Sequence, residues 1–209
     1  MRATGPPRTN FPSPPMPDDS PDPKPGATRL GWRVRERTVP FSGKINRLRV
    51  DRIEVPGRGE FEYSYLERGE SVIIVPVLAD GRVVLIRQYR YAVDTRCIEL
   101  PAGCASDAGG ISLEELCRKE LREEIGATAD RVESVGWFYS SSSLSDEVCH
   151  VFLATGCALA GPAETEPGEN IERMVVSVAE ALRVARSGEV RTGTCALALL
   201  LCEERLRRL

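Results

Sequence analysis

An α+β fold, with helices layered on a mixed sheet and a small antiparallel β extension in front of it, is what this sequence predicts. Three observations lead there. Strand-like runs rich in β-branched and aromatic residues recur from Trp32 onward, punctuated by glycine turns. Helix start signals are few, at Ser112, Ser177 and Thr194. The first 28 residues hold nine of the fifteen prolines and carry almost no apolar period. Many strands alternating with few helices suit an α+β sandwich.

Residues 1–28, with Pro14-Pro15 and Pro21-Asp22-Pro23, read as a disordered or polyproline-like tail. The tail has no apolar stretch of the kind a signal peptide needs, and nothing later approaches a membrane span. Residues 29–68 form the β extension. Its strands are expected at 32–39, 45–55 and 61–67, with Gly57-Arg58-Gly59 turning a hairpin.

Residues 69–209 form the main domain. Strands at 72–77 and 83–88 flank Ala79-Asp80-Gly81-Arg82, whose Asp-Gly pair is a strong turn signal. A later strand pair, 132–139 and 147–154, surrounds the serine-rich loop 140–145, and a further strand covers 171–178. Ser177-Val178-Ala179-Glu180 has the spacing of a capping box, with the helix closing near Gly188. Thr194 is expected to cap a last helix over 195–207.

The composition is that of an ordinary enzyme domain. A net charge of −3 and a single histidine argue against a nucleic-acid surface. Seven cysteines, an odd number without C-x-x-C spacing, imply reduced thiols and a cytoplasmic protein. Cys117 and Cys195 fall at apolar helical positions and read as core fillers. His150 lies in the apolar run 148–152 and reads as a strand residue, because a zinc site would gather several Cys or His ligands.

The most informative segment is Lys119-Glu120-Leu121-Arg122-Glu123-Glu124-Ile125-Gly126. Ser112 and Glu115 form a capping box and Gly126 supplies the stop, so a helix is expected over 113–125. At about 100° per residue, Leu113, Leu116, Cys117, Leu121 and Ile125 share one apolar arc. Glu120 and Glu124 fall inside that arc. Two carboxylates turned toward the protein body carry a large desolvation cost unless a positive charge meets them. Arg118 and Arg122 lie on the far side of the helix. A divalent cation would serve; the alternative is a surface helix with a solvated acidic face.

The residues ahead of the helix favour the first reading. Glu99-Leu100-Pro101-Ala102-Gly103 ends a strand-like segment, and a glycine-containing loop (104–111) leads into the capped helix. This arrangement resembles the Nudix hydrolase family, whose box is written G-x5-E-x7-R-E-U-x-E-E-x-G-U, with U aliphatic. Gly103 matches the opening glycine. Glu120, Leu121, Glu123, Glu124, Gly126 and Ala127 match the second half. Lys119 stands where the family has arginine, Gly103 to Lys119 is two residues longer than the pattern, and Ile111 occupies the counted position of the first glutamate. Altered loop geometry is the expected consequence.

The extra N-terminal strands, Arg87-Gln88-Tyr89-Arg90 before the box and Leu144-Ser145-Asp146-Glu147 after it narrow the resemblance to the ADP-ribose pyrophosphatase branch. The match spans roughly residues 32–205. It implies a Nudix-type α/β/α sandwich, a homodimer swapped through the N-terminal strands, and Mg²⁺-dependent hydrolysis of a nucleoside diphosphate sugar. Mn²⁺ is a plausible substitute. By the same resemblance Glu120 and Glu124 are metal ligands, Glu123 is a further ligand or orienting acid, and the Ala102 carbonyl is a backbone ligand.

The resemblance also implies a water-activating base on the loop 164–170, with Glu169, just before the strand that begins at Ile171, first and Glu166 second. Arg90 is the candidate phosphate clamp, since a guanidinium pairs bidentately with phosphate. Arg87 is a second candidate; the alternative for both is an ordinary strand-end charge. Trp32 is a candidate for stacking on a nucleobase, or a core or interface tryptophan. Glu147 either contacts the metal cluster or substrate or ends its loop. The loop 140–147 lacks the Ser-Pro dipeptide typical of ADP-ribose specialists, so ADP-ribose ranks first with other sugar nucleotides close behind. Two other classes remain as alternatives: a non-catalytic nucleotide-binding regulatory module, and a Nudix enzyme acting on a different nucleoside diphosphate derivative.

Overall fold

A computed structural model describes residues 24–43, 46–107, 109–165 and 168–209. The described residues form two compact units, one ending at Leu66 and the other beginning at Glu67. In the first, β1 (Arg33–Ser42), β2 (Arg47–Val55) and β3 (Gly59–Glu67) make a three-stranded sheet in the order β1-β2-β3. The turn before β3 uses Gly57 and Gly59 at positive φ, which glycine adopts freely. Because a strand repeats every two residues, Phe61, Tyr63 and Tyr65 share one face. Their rings, with Trp32 at the head, contact one another at 5.6, 6.5 and 6.3 Å.

One expectation for the tail is corrected. Pro25–Arg29 form a short helix, α1, so residues 25–28 are not extended. Proline is pre-set for the first helical turn, where its missing N–H leaves no bond unmade. Residues 1–23 of the expected tail, and Ile45 at the start of the second expected strand, lie outside the described residues.

The second unit is built on a mixed sheet. Its path is β11-β5-β4-β10-β8, with β6 on β5, β7 on β4 and β9 on β10. The strands are β4 (Glu70–Leu78), β5 (Val83–Arg90), β6 (Thr95–Glu99), β7 (Ala102–Cys104), β8 (Ala127–Thr128), β9 (Arg131–Tyr139), β10 (Val148–Leu159) and β11 (Ile171–Val176). β4 and β10 run parallel, while β5, β7 and β9 pair antiparallel with their neighbours. β4 is central and covered on both faces, which explains its unbroken apolar run from Val72 to Val77.

Alternation along the strands divides the core. Val72, Ile74, Val84, Ile86 and Phe152 pack beneath α2 (Leu113–Ile125) with Leu116, Leu121 and Ile125. Ile73, Val75, Leu85, Val151 and Leu153 pack on the other face with Leu182, Leu199 and Leu206. Those last three belong to α3 (Val178–Ser187), α4 (Gly193–Leu201) and α5 (Glu203–Leu206). The result is the expected α/β/α sandwich. Cys117 and Cys195 are buried in these clusters, and His150 lies in β10 with Nε2 2.9 Å from Glu70 Oε1. All seven cysteines are free. Among the described residues, no helix is long and apolar enough to cross a membrane.

Two helix caps differ from expectation. β11 ends at Val176, so Ser177 is the N-cap of α3 and its Oγ accepts from the Glu180 N–H at 3.1 Å. The Glu180 carboxylate goes instead to Arg183 at 2.7 Å, which leaves the capping box half formed. The last helix begins one residue before Thr194, with Thr192 at the N-cap, and divides at Cys202. The Thr192 hydroxyl is donated to Glu99 Oε1 at 2.8 Å rather than used as a cap.

Two features position the site. β4 and β5 meet at Val77 and Val83, and the segment β6-Leu100-Pro101-β7 occupies the space beyond, with β6 on β5 and β7 on β4. The Ile74 N–H donates to the Pro101 carbonyl at 2.9 Å and seats the turn. The second feature is the C-terminus of α2, whose last carbonyls have no partner within the helix. Arg173 donates to the Ile125 carbonyl at 3.1 Å, Glu164 N–H to the Glu123 carbonyl at 2.8 Å, and Ala160 N–H to the Gly126 carbonyl at 2.8 Å. The 160s segment is thereby tied to the helix end.

Gly126 sits at φ +60, and a Cβ there would overlap the Gly161 carbonyl oxygen. Gly69, at φ +72, has open space around it. Gly126→Ala should lower the unfolding free energy by about 1–3 kcal/mol in urea titrations, and by more than Gly69→Ala, which bears only the backbone cost.

Candidate active site

The site begins with the phase of α2. Ser112 and Glu115 form the full capping box, with the Glu115 N–H to Ser112 Oγ at 3.2 Å and the Ser112 N–H to Glu115 Oε2 at 2.9 Å. That start sets which residues face the sheet. Leu116, Cys117, Leu121 and Ile125 are buried, and so is Glu124, only 4% exposed. Glu120 follows them, with 13% of its side chain exposed. Arg118 is engaged by the Ala129 carbonyl at 2.7 Å and by Glu114, on the outer side as expected.

Each inward carboxylate rests on the backbone that the β6–β7 segment delivers. Glu124 Oε2 accepts from the Ala102 N–H at 3.1 Å. Glu120 lies directly against Gly103, where any Cβ would collide with its carboxylate. The opening glycine of the box is therefore required by close approach. Lys119 Nζ is 2.6 Å from Glu123 and 3.7 Å from Glu120. The lysine that replaces the family's arginine thus covers the edge of the acid cluster and turns Glu123 toward itself.

The electrostatics follow from this crowding. Burial pushes the Glu120 carboxyl up to about 7, with Glu123 and Glu169 adding like charge and Lys119 opposing the shift. Burial also holds Glu124 well above the ordinary carboxylate range, with Glu120 and Glu169 adding to the rise and the Ala102 N–H and Arg90 opposing it. Glu169, half-buried and two residues ahead of β11, is therefore within electrostatic reach of both acids.

Arg90 is anchored rather than loose. Its Nε and Nη2 donate to Glu99 Oε2 at 3.0 and 2.6 Å, and Glu99 is 3% exposed. Thr192 donates to the other carboxylate oxygen. Arg90 still exposes 47% of its side chain and forms part of the wall of a cleft of about 690 Å³, with Thr95, Cys97, Glu99, Arg191 and Thr192.

Arg87 shares the face of Val83 and Leu85, opposite the acids, and lies 3.7 Å from Glu172; the period of two in β5 separates it from Arg90. Glu147 sits 3.9 Å from Arg68. Trp32 belongs to the N-terminal unit, edge-on to Phe61. Glu166 lies outside the described residues.

Sequence reading missed Glu99 and Thr192 as the support of Arg90. Gln88, which continues the buried stripe of Val84 and Ile86, is 4% exposed, and its Oε1 has no hydrogen-bond partner among the described residues.

Among the described residues, no three acidic, histidine or cysteine side chains form a ready-made metal cage. The donor set nonetheless fits a hard divalent cation. Its donors are oxygens, its two central acids are held up by burial and mutual repulsion, and Mg²⁺ commonly binds through one or two carboxylates while retaining waters.

The family model described as NUDIX domain matches residues 67–192, a segment that runs from the start of the second unit to the N-cap of α4. The chain is 31% identical over 171 residues to an ADP-ribose pyrophosphatase of Bacillus subtilis (strain 168), covering 79% of this chain and 91% of that protein. It is 33% identical over 150 residues to an ADP-ribose pyrophosphatase of Mycobacterium tuberculosis (strain ATCC 25618 / H37Rv), covering 71% and 72%. A solved structure titled as the crystal structure of an ADP compounds hydrolase aligns with a TM-score of 0.73 over 85% of this chain and 95% of that one. At 19% identity, that likeness shows the fold alone. With the box helix, its glycine and the surrounding sheet all inside the matched segment, the chain belongs to the Nudix family of hydrolases, among the relatives of its ADP-ribose pyrophosphatases.

Proposed function

We propose that this enzyme hydrolyses the pyrophosphate bond of ADP-ribose or a related nucleoside diphosphate sugar, giving a nucleoside monophosphate and a sugar phosphate, with Mg²⁺ as cofactor and Mn²⁺ as a substitute. The observation that carries the reading is the inward pair Glu120 and Glu124, seated on Gly103 and Ala102 with Glu169 in reach. Glu120 and Glu124 would hold the cation with the Ala102 carbonyl, and Glu123 would join on leaving Lys119. When bound, such an ion offsets the charge of the diphosphate and polarises its P–O bonds.

The chain's own groups divide the remaining work. Glu169 accepts a proton from the attacking water, with Glu166 as the alternative base on the same loop. Arg90, held in orientation by Glu99, offers its exposed N–H groups to a phosphate oxygen. A preset guanidinium loses less freedom on binding than a loose one. The N-terminal sheet serves as the dimerisation element of a homodimer, with Trp32 as the candidate for stacking on the base. The seven free thiols suit a reducing cytoplasm.

A panel of nucleoside diphosphate sugars assayed with Mg²⁺ tests the reaction. Glu124→Gln should lower kcat on the order of a thousandfold, matching the loss of several kcal/mol of charge stabilisation. Unchanged monophosphate release by that variant would refute the site assignment. Sedimentation at micromolar concentration should show a dimer, and a monomer would overturn the assembly.

The raised acids also set a pH dependence. Between the ordinary glutamate value of 4.5 and about 7, the folded metal-free protein holds a proton on Glu120 that the unfolded chain has released. Stability in EDTA should therefore be fullest below pH 4.5 as regards this group, and should fall as pH rises through about 7. Added Mg²⁺ should raise Tm more at pH 8 than at pH 5, and Glu120→Gln should flatten the EDTA profile. A melting-temperature gain from Mg²⁺ that is equal at both pH values would contradict a cation at these acids.

A further inference from the structure

The cleft beside Arg90 is larger than the grip on one phosphate requires. Its volume of about 690 Å³ falls in the range of small-molecule sites, about 300–1,000 Å³. Arg90 forms part of its wall, is bonded to Glu99, and feels the charge of Glu124. A diphosphate gripped by Arg90 is thus in reach of both the acids and the cleft.

The polar groups of the wall divide into engaged and open ones. Glu99 is engaged, with Arg90 and the Thr192 hydroxyl donating to its carboxylate. Asp94 is open on one side. Its Oδ1 accepts from the Tyr89 hydroxyl at 2.8 Å, and no hydrogen bond engages Oδ2 among the described residues. Arg191 is exposed, and among the described residues no hydrogen bond or ion pair engages its guanidinium. Asp94 is also the one non-glycine at positive φ among the described residues, with φ 47 and ψ 44. Glycine would hold that turn without steric cost; aspartate adds a carboxylate to the wall.

This set of groups selects among ligands. A nucleobase stacks best on an aromatic face, and the described lining holds no aromatic side chain. A further phosphate would meet the Asp94 carboxylate. A polyol suits both charges, because hydroxyls donate to a carboxylate and accept from a guanidinium. Ala92 and Val93 offer apolar surface to the C–H groups of a sugar ring. We infer that this cleft is the sugar subsite, with Asp94 accepting from and Arg191 donating to the hydroxyls of the substrate's sugar. The inference rests on the function proposed above and names the half of the substrate that lies beyond Arg90.

The test uses Arg191→Met, which keeps the stem and removes the donors, and Asp94→Asn, whose asparagine tolerates the left-handed turn without the charge. Both are assayed on the sugar nucleotide that the wild type turns over best, with its two products as inhibitors. A sugar subsite predicts KM about tenfold higher in each variant, a similar rise in Ki for the sugar phosphate, and a Ki for the nucleoside monophosphate within about twofold of wild type. Tm should stay at the wild-type value in Arg191→Met, since no bond engages that guanidinium. Equal rises in both Ki values would put these residues on phosphate, and a rise confined to the monophosphate would put the nucleoside in the cleft. Either result overturns the inference, as do unchanged KM values in both variants. If wild type itself releases no monophosphate from any sugar nucleotide, the proposed function falls and takes this inference with it. If wild type is active and the sugar phosphate inhibits both variants as it does wild type, only the inference falls.

Discussion

The organising constraint of this molecule is the burial of two carboxylates on the core side of one helix. A helix that packs Leu116, Cys117, Leu121 and Ile125 against a sheet would ordinarily keep acids on its outer face. Here Glu120 and Glu124 take two places on the inner face, and the surrounding backbone is arranged around them. The Ala102 N–H answers one, and the missing side chain of Gly103 makes room for the other. What the polypeptide does not supply is enough positive charge. Lys119 covers one edge, Arg90 acts from further off, and both acids still hold protons more tightly than a free glutamate does.

The rest of the second unit can be read as the means of bringing chain to that helix. The β6–β7 segment reaches the acids because β4 and β5 part company after Val77 and Val83. Its Pro101 suits the bend, lacking an N–H to leave unmatched while its carbonyl accepts from Ile74. At the far end of α2, the unpaired carbonyls that every helix must satisfy are met by Arg173, Glu164 and Ala160. Those bonds hold the segment that leads toward Glu169 and β11.

Legibility from sequence differed by kind of residue. Glu120 and Glu124 could be placed because their direction depends on helical phase, and the phase was anchored by a local signal, the Ser112–Glu115 box. Gly103 could be identified by spacing, although only the fold shows that a side chain there would strike Glu120. Of the two readings open for Arg87, phosphate contact or a strand-end charge, strand alternation bears on the choice: it sets Arg87 on the face opposite Arg90, 3.7 Å from Glu172. The anchor of Arg90 was out of reach: Glu99 and Thr192 come from a different strand and a distant helix N-terminus. The Thr194 cap failed for the same reason, since the threonine at the true cap position gives its hydroxyl to Glu99 rather than to its own helix.

By itself, the sequence determined whatever depends on neighbours a few residues apart: the start and stop of α2, the inward turn of its two acids, the strand turns at Gly57 and Gly81, and the family to which the box belongs. Tertiary structure decided which distant groups share the site with those acids. Glu169, ahead of β11, comes within electrostatic reach of them, and Arg90 is held near them by its bond to Glu99. The physical reason is range. Capping and periodicity act within a turn or two of chain, whereas the charge balance of a buried site is set by every element packed around it.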